Sequence, residues 1–232
     1  MDALIRHIKF ELSFDVSKLQ NDLQKILDNS WVQHYNKNGY DGSWTSIALL
    51  SANGKSDAIY AFDQSTSELL PTEILSQCPY FAHIIDSLLF KKTTVRLLKL
   101  SAGAAIKPHQ DHCLGYEDGC FRMHIPIVTN PLVEFILDNE RLHMNAGECW
   151  YIDANFTHSV ANKGTQDRIH LVIDGIRNDW TDALFFAHAT AEEFIKPEPV
   201  ISKAQKLQVI EELKKLNTPA ANAIIAQWQS EL

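Results

Sequence analysis

The sequence has no long hydrophobic run: no window reaches the roughly 18 apolar residues that a membrane-spanning helix needs. Met1 to Phe14 carries no basic start, apolar stretch and small-residue cleavage site of the kind that marks a secretion signal. Cysteine is scarce, with Cys78, Cys113, Cys120 and Cys149 irregularly spaced and no CxxC pair among them. That argues against a disulfide framework or a cysteine-rich zinc site, and a cytoplasmic location with free thiols is expected. Basic residues are outnumbered, 21 Lys and Arg against 29 Asp and Glu. The resulting formal net charge of −8 disfavours nucleic acid and anionic membrane surfaces as partners. No internal repeat and no low-complexity tract is present.

What is there suits one domain with a small appendage. The 232 residues are 45% hydrophobic and 22% charged, ordinary for a chain that buries a core. His7 to Phe14 alternates as a strand does, and Val16 to about Asn29 has one apolar face at helical spacing. Trp44 to Ser51 reads as a strand ended by Asn53-Gly54, and Pro71–Cys78 and Phe81–Leu89 as short helices. From Thr93 the texture becomes β-rich. Short runs at Thr93–Leu100, Ile106–His109, Phe121–Val128, Val133–Leu137, Arg141–Met144, Glu148–Ile152, Ser159–Asn162 and Arg168–Ile173 are separated by turn signals. This spacing predicts a sandwich or barrel such as a jelly roll. Trp180 to Ala189 is apolar and ambiguous, and Pro197-Glu198-Pro199 is a breaker. Ser202–Leu216 and Pro219–Leu232 read as helices hinged at Asn217-Thr218-Pro219. The expected organisation is a domain over 1–188, with an N-terminal segment 1–92 and a β core 93–176, followed by a helical region 189–232. That last region is a candidate packing, lid or oligomerisation element, so a homodimer is among the expected states.

Two short motifs carry chemistry. In Pro108-His109-Gln110-Asp111, the histidine and aspartate are two apart, so in extended chain both aim the same way. Thr157-His158-Ser159-Val160 offers a second imidazole from a later strand. Two imidazoles and one carboxylate on one face of a metal leave the opposite face open, which is the facial triad of iron(II) oxygenases. Arg168 sits beside the apolar strand Ile169–Ile173. A buried arginine needs a partner, either a bound dicarboxylate or a salt bridge to Asp167, Asp174 or a core carboxylate. Arg122 and His124 share a face of another strand, where a planar guanidinium can take a carboxylate in bidentate fashion. Arg96 is placed at the pocket mouth. Trp44 is a candidate substrate contact, and Trp150 a candidate cavity wall.

The run Arg96 to Asp174 resembles the aspartyl/asparaginyl β-hydroxylase family. The resemblance lies in Leu100-Ser101-Ala102-Gly103, Pro108-His109-Gln110-Asp111, Phe121 to Ile127, Met144 to Glu148, Thr157 to Asn162, and Arg168 to Asp174. Within the family, the bacterial proline hydroxylases look most similar. The resemblance implies a mainly β fold with flanking helices: a double-stranded β-helix (jelly-roll, cupin-like) core and a small C-terminal helical region. It implies iron at His109, Asp111 and His158, with Arg168 on the distal carboxylate of 2-oxoglutarate. Arg122 and His124 would lie against the cosubstrate or a substrate carboxylate. The expected cofactors are Fe(II), 2-oxoglutarate and O₂, and the expected partner a small carboxylate-bearing substrate such as a free amino acid. The peptide-hydroxylating branch has a glycine where Asp111 stands, so the carboxylate favours the small-molecule branch. The peptide-hydroxylating branch also uses a serine on 2-oxoglutarate whose place falls here at Leu98, so that contact must come from another residue. The rival readings are a hydroxylase of a peptide, protein or carrier-bound residue and a metal-binding cupin without oxygenase activity.

Overall fold

A computed structural model of the chain describes residues 4–58, 68–196, 202–216 and 218–230. The Pro197-Glu198-Pro199 breaker and hinge residue Asn217 lie outside the described residues. The chain forms two compact units, Asp2–Ile195 and a C-terminal unit from Lys196.

Two antiparallel sheets make up the first unit. The eight-stranded sheet runs β1 (His7–Ser13), β11 (Glu148–Ile152), β8 (Cys120–Val128), β13 (Arg168–Ile176), β6 (Lys92–Leu100), β4 (Trp44–Ser51) and β2 (Val32–Gln33), with β5 (Leu70–Pro71) beside β4. The five-stranded sheet runs β10 (Glu140–Leu142), β9 (Val133–Leu137), β12 (His158–Asn162), β7 (Ala105–His109) and β3 (Tyr40–Asp41). From β6 to β13 the chain passes back and forth between the sheets: β6, β8, β11 and β13 lie in the larger, and β7, β9, β10 and β12 in the smaller. That alternation is the double-stranded β-helix, and its strands are those that the turn spacing predicts.

Period-two patterning gives the larger sheet two different faces. Its outer face presents Val95, Leu97, Phe121, Met123, Ile125, Leu171 and Ile173 to one apolar core. Over it pack α1 (Val16–Ile26) through Leu19, Leu23 and Ile26, α2 (Pro79–Ser87) through Phe81, Ile84 and Ile85, and α3 (Asp179–Phe186) through Phe185. Asp15 caps α1 by accepting from Lys18 N–H, and buried Asp22 accepts from Tyr80 and Phe81 N–H at the start of α2. A second core, between the sheets, contains Trp44, Leu100, Ile106, Phe135, Leu137, Trp150 and Ile152. Gly42, at φ +82°, lets the chain step from β3 in the smaller sheet to β4 in the larger; a Cβ there would stand 2.8 Å from that of Ala104. This step sets Trp44 on the inner face.

Three local expectations change. Pro71–Cys78 is not a helix: β5 ends at Pro71, and only Leu75–Gln77 winds, as a 3₁₀ turn. The ambiguous run Trp180–Ala189 is helical as far as Phe186, as part of α3, which is started by Asn178, whose side chain accepts from Thr181 N–H. The first unit continues past 188 to Ile195. The cause is Phe194, buried at the end of a 3₁₀ turn (Ala191–Phe194) with ring centroids 5.2 Å from Tyr116 and 5.8 Å from Phe185. In the C-terminal unit, α4 (Lys203–Leu216) and α5 (Pro219–Ser230) pack on each other. Among the described residues, no helix is long and apolar enough to cross a membrane.

Candidate active site

β7 ends at His109, β12 begins at His158, and the two residues are direct partners in the ladder. Asp111 lies two residues beyond β7, held by its N–H donating to Ala154 O at 2.9 Å. One ligand atom from each of His109, Asp111 and His158 falls within 4.8 Å of the others, the spacing of a shared metal ion. The Nδ1 of His109 bonds Lys107 O at 2.8 Å and that of His158 bonds Phe156 O at 3.0 Å. A carbonyl only accepts, so each Nδ1 carries the proton and each Nε2 keeps a free lone pair for a metal. Burial, then the neighbouring His109, holds His158 down to about 4, so it is neutral and ready to ligate at ordinary pH. Nearby Cys113 is exposed and stands outside the cluster. The donor set, two imidazoles and a carboxylate with no thiolate, fits iron(II).

Behind the triad is a buried charge network on the inner face of the larger sheet. Asp174 accepts from Thr94 Oγ1 at 2.8 Å, Arg96 Nη2 at 3.3 Å, and Arg122 Nε and Nη2 at 2.7 and 3.0 Å. The remaining arm of Arg122, through Nη1, donates to Asp111 Oδ2. Burial opposes the Asp174 charge, but Arg122 and Arg96 outweigh it and hold the carboxyl at about 2. Asp111 is likewise lowered against burial, by Arg122, His158 and His109. Arg122 therefore spends three of its five N–H groups on protein carboxylates and keeps two. Its strand is central in the sheet, and its first visible task is to orient the Asp111 carboxylate. Arg96, expected at the mouth, is buried in this network with its Nε unpartnered.

Arg168 is different. It is 2% exposed, and among the described residues it has no carboxylate partner. The salt bridges to Asp167 or Asp174 that the sequence left open are not made: Asp174 pairs with Arg96 and Arg122 instead. Its Nη2 donates to His170 Nδ1 at 2.9 Å, its Nε has no partner, and the Phe135 ring lies 6.0 Å from its Cζ. Burial pulls its guanidinium down to about 9. His124, 5.6 Å from His170 by ring centroids, is buried and kept neutral by burial and by Arg168 and Arg122. His112 and His143 are exposed.

Trp44 and Trp150 both lie on the inner face, and they differ in commitment. Trp150 donates its indole N–H to Glu148 at 2.9 Å, so that donor is already used. The Trp44 N–H is buried with no partner among the described residues, and its ring is 6.4 Å from that of His109. His34, which no motif marks, stacks on Trp44 with centroids 3.6 Å apart. Burial first, then Arg96, hold it to about 4, while Asp111 pulls the other way, which places this imidazole in the field of the site. The end of a two-residue edge strand offers no sequence signal for such a role.

A family model described as Aspartyl/Asparaginyl beta-hydroxylase matches residues 13–178. The L-proline cis-3-hydroxylase 1 of Streptomyces sp is 30% identical over 174 residues, 72% of this chain and 59% of that protein. The L-proline cis-4-hydroxylase of Rhizobium meliloti (strain 1021) is 25% identical over 85% of this chain and 67% of that protein. The matched part thus spans about three fifths to two thirds of the length of these curated relatives. A Pseudomonas putida prolyl-4-hydroxylase superposes with a TM-score of 0.47 at 10% identity, over 74% of this chain and 93% of that one, too loosely to add to the strand pairing.

Proposed function

The chain belongs to the aspartyl/asparaginyl β-hydroxylase family, and from that premise we propose that it is an Fe(II)- and 2-oxoglutarate-dependent hydroxylase of a free amino acid, proline-like or otherwise small. The observation that carries this reading is the pairing of the His109, Asp111 and His158 cluster with a fully buried Arg168 that has no carboxylate partner among the described residues. The charge balance points the same way. Of three buried arginines, Arg96 and Arg122 face the carboxylates of Asp174 and Asp111, and Arg168 has none among the described residues, leaving one positive charge in excess. A divalent metal raises that excess to three, and a dianionic cosubstrate lowers it to one.

Bound iron and 2-oxoglutarate supply the oxidising chemistry, consuming O₂, releasing succinate and CO₂ and inserting one oxygen atom into a C–H bond. The protein's own residues hold and orient. His109 and His158 present Nε2, and Asp111 presents the oxygen left over from its bond to Arg122. Arg168 takes the far carboxylate of the cosubstrate. Arg96 Nε, the spare N–H groups of Arg122 and the Trp44 indole N–H are donors for the substrate carboxylate, with His34 and Trp44 forming a wall. Four free cysteines and an oxygen-sensitive metal suit the cytoplasm.

The test is succinate release by anaerobically prepared protein supplied with Fe(II), 2-oxoglutarate and then air, across a panel of free amino acids. One amino acid is expected to stimulate succinate formation and gain one oxygen atom in mass. Stimulation only by peptides would move the substrate to the protein-hydroxylating rival, and binding of neither iron nor 2-oxoglutarate would leave the cupin without oxygenase activity.

A further inference from the structure

His170 is 2% exposed on the inner face of β13. The hydrogen bond from Arg168 Nη2 decides its tautomer, since a guanidinium only donates. His170 Nδ1 must accept, so the ring proton sits on Nε2. Among the described residues that Nε2–H has no acceptor, and neither has the Nε–H of Arg168. Two buried donors side by side without acceptors are costly unless a ligand takes them. The neighbours in the ladder cannot: His170 stands between Leu98 on β6 and Pro126 on β8, and Arg168 stands opposite Leu100. Arg168 and His170 help to line a small cavity of about 10 Å³ together with Asn130, Phe135 and Met144, and the buried His124 ring lies 5.6 Å from that of His170. Burial, followed by the adjacent Arg168, keeps His170 far below its ordinary value, so it is a neutral donor and adds no second positive charge. One aromatic ring, Phe135, separates this pair from the metal end: it is 6.0 Å from Arg168 Cζ and 6.2 Å from the ring of His158, to which it is parallel.

We propose that His170 is a second cosubstrate-binding residue, donating from Nε2 to the far carboxylate of 2-oxoglutarate alongside Arg168. A carboxylate only accepts and has room for both donors. Leu98 offers no hydroxyl from β6, and the imidazole reaches across from the next strand. This rests on the cosubstrate reading above.

The experiment is an anaerobic titration of the full-length, Fe(II)-loaded protein, followed by metal-to-ligand charge-transfer absorption. Two 2-oxo acids are compared: 2-oxoglutarate and 2-oxopentanoate, which has a methyl group in place of the far carboxylate. His170→Leu is expected to weaken 2-oxoglutarate binding by about 10- to 100-fold. It should leave 2-oxopentanoate within about twofold, because that ligand never met the Nε2–H. His170→Gln, which keeps an N–H donor at similar reach, should recover most of the loss. Equal weakening of both acids, or no weakening of either, would overturn the role of His170 while the cosubstrate reading stood. If the native protein binds neither acid, both fall together.

Discussion

Along β13 the side chains alternate between two environments. Ile169, Leu171 and Ile173 face an apolar core under the helices, whereas Arg168, His170 and Asp174 face the smaller sheet. β8 repeats the contrast, with Phe121, Met123 and Ile125 on one side and Arg122 and His124 on the other. Both faces are equally dry, so the difference is not burial. The outer face gains stability from apolar area and close packing. The inner face carries buried charge that well-packed apolar residues of similar volume would often replace without loss of stability. What the arginines and histidines do there is better explained by ligands than by folding.

The comparison can be broken most decisively at the metal. Asp111→Ala should take turnover below detection and weaken iron binding, with a modest change in the urea midpoint because the residue is only half-buried, just past the end of β7, although Arg122 loses one partner. Unfolding of this variant would make the inner face structural after all. The opposite signature is expected from Phe121→Ala on the outer face. It should destabilise the protein by about 3–5 kcal/mol in urea titrations, and the molecules that remain folded should bind 2-oxoglutarate normally. A selective loss of cosubstrate affinity there would blur the two faces.

Asp174→Asn sharpens the inner side. Asp174 touches no metal ligand itself, but it holds Arg122, which holds Asp111. Disturbing an outer partner of a ligand typically lowers metal affinity by about 10- to 100-fold, readable by competition with a chelator. Unchanged affinity would mean that Arg122 finds its place without Asp174. The smallest effect is expected on mild acidification from pH 7 to 6. His34, His124, His158 and His170 all titrate below their ordinary value of 6.5 in the folded chain, His34 and His158 at about 4. The unfolded chain therefore binds protons that the folded chain refuses, and stability falls as pH drops through 6.5 and on toward 4. Asp174, lowered from 3.8, adds its own loss only below that pH. A urea midpoint that is flat across this range would show that these imidazoles are not held neutral.

Much of this was legible from one-dimensional pattern. The strands β6 to β13 announce themselves by short β-rich runs between turns, and the His109, Asp111, His158 set by its residue types. Arg168 is recognisable as a charge in an apolar strand, but whether its partner is a protein carboxylate or a ligand is not, because Asp167 and Asp174 are both near in sequence. Arg122 looks free to meet a ligand until Asp174 and Asp111 are seen to hold three of its N–H groups. His34 carries no signal, since its stacking partner Trp44 arrives through a separate strand and a glycine turn. His170, like His112 and His143, reads from the sequence as a structural or exposed histidine.

The sequence by itself determined which residues alternate, where the strands break and which side chains can bind a metal, because period-two patterning and ligand chemistry are local properties. Only the tertiary structure decided which charges neutralise each other and which donors stay unmatched. That depends on cross-strand register: the ladder that puts Asp174 opposite Arg122 and Leu98 opposite His170 closes one charge network and leaves the other open for a ligand.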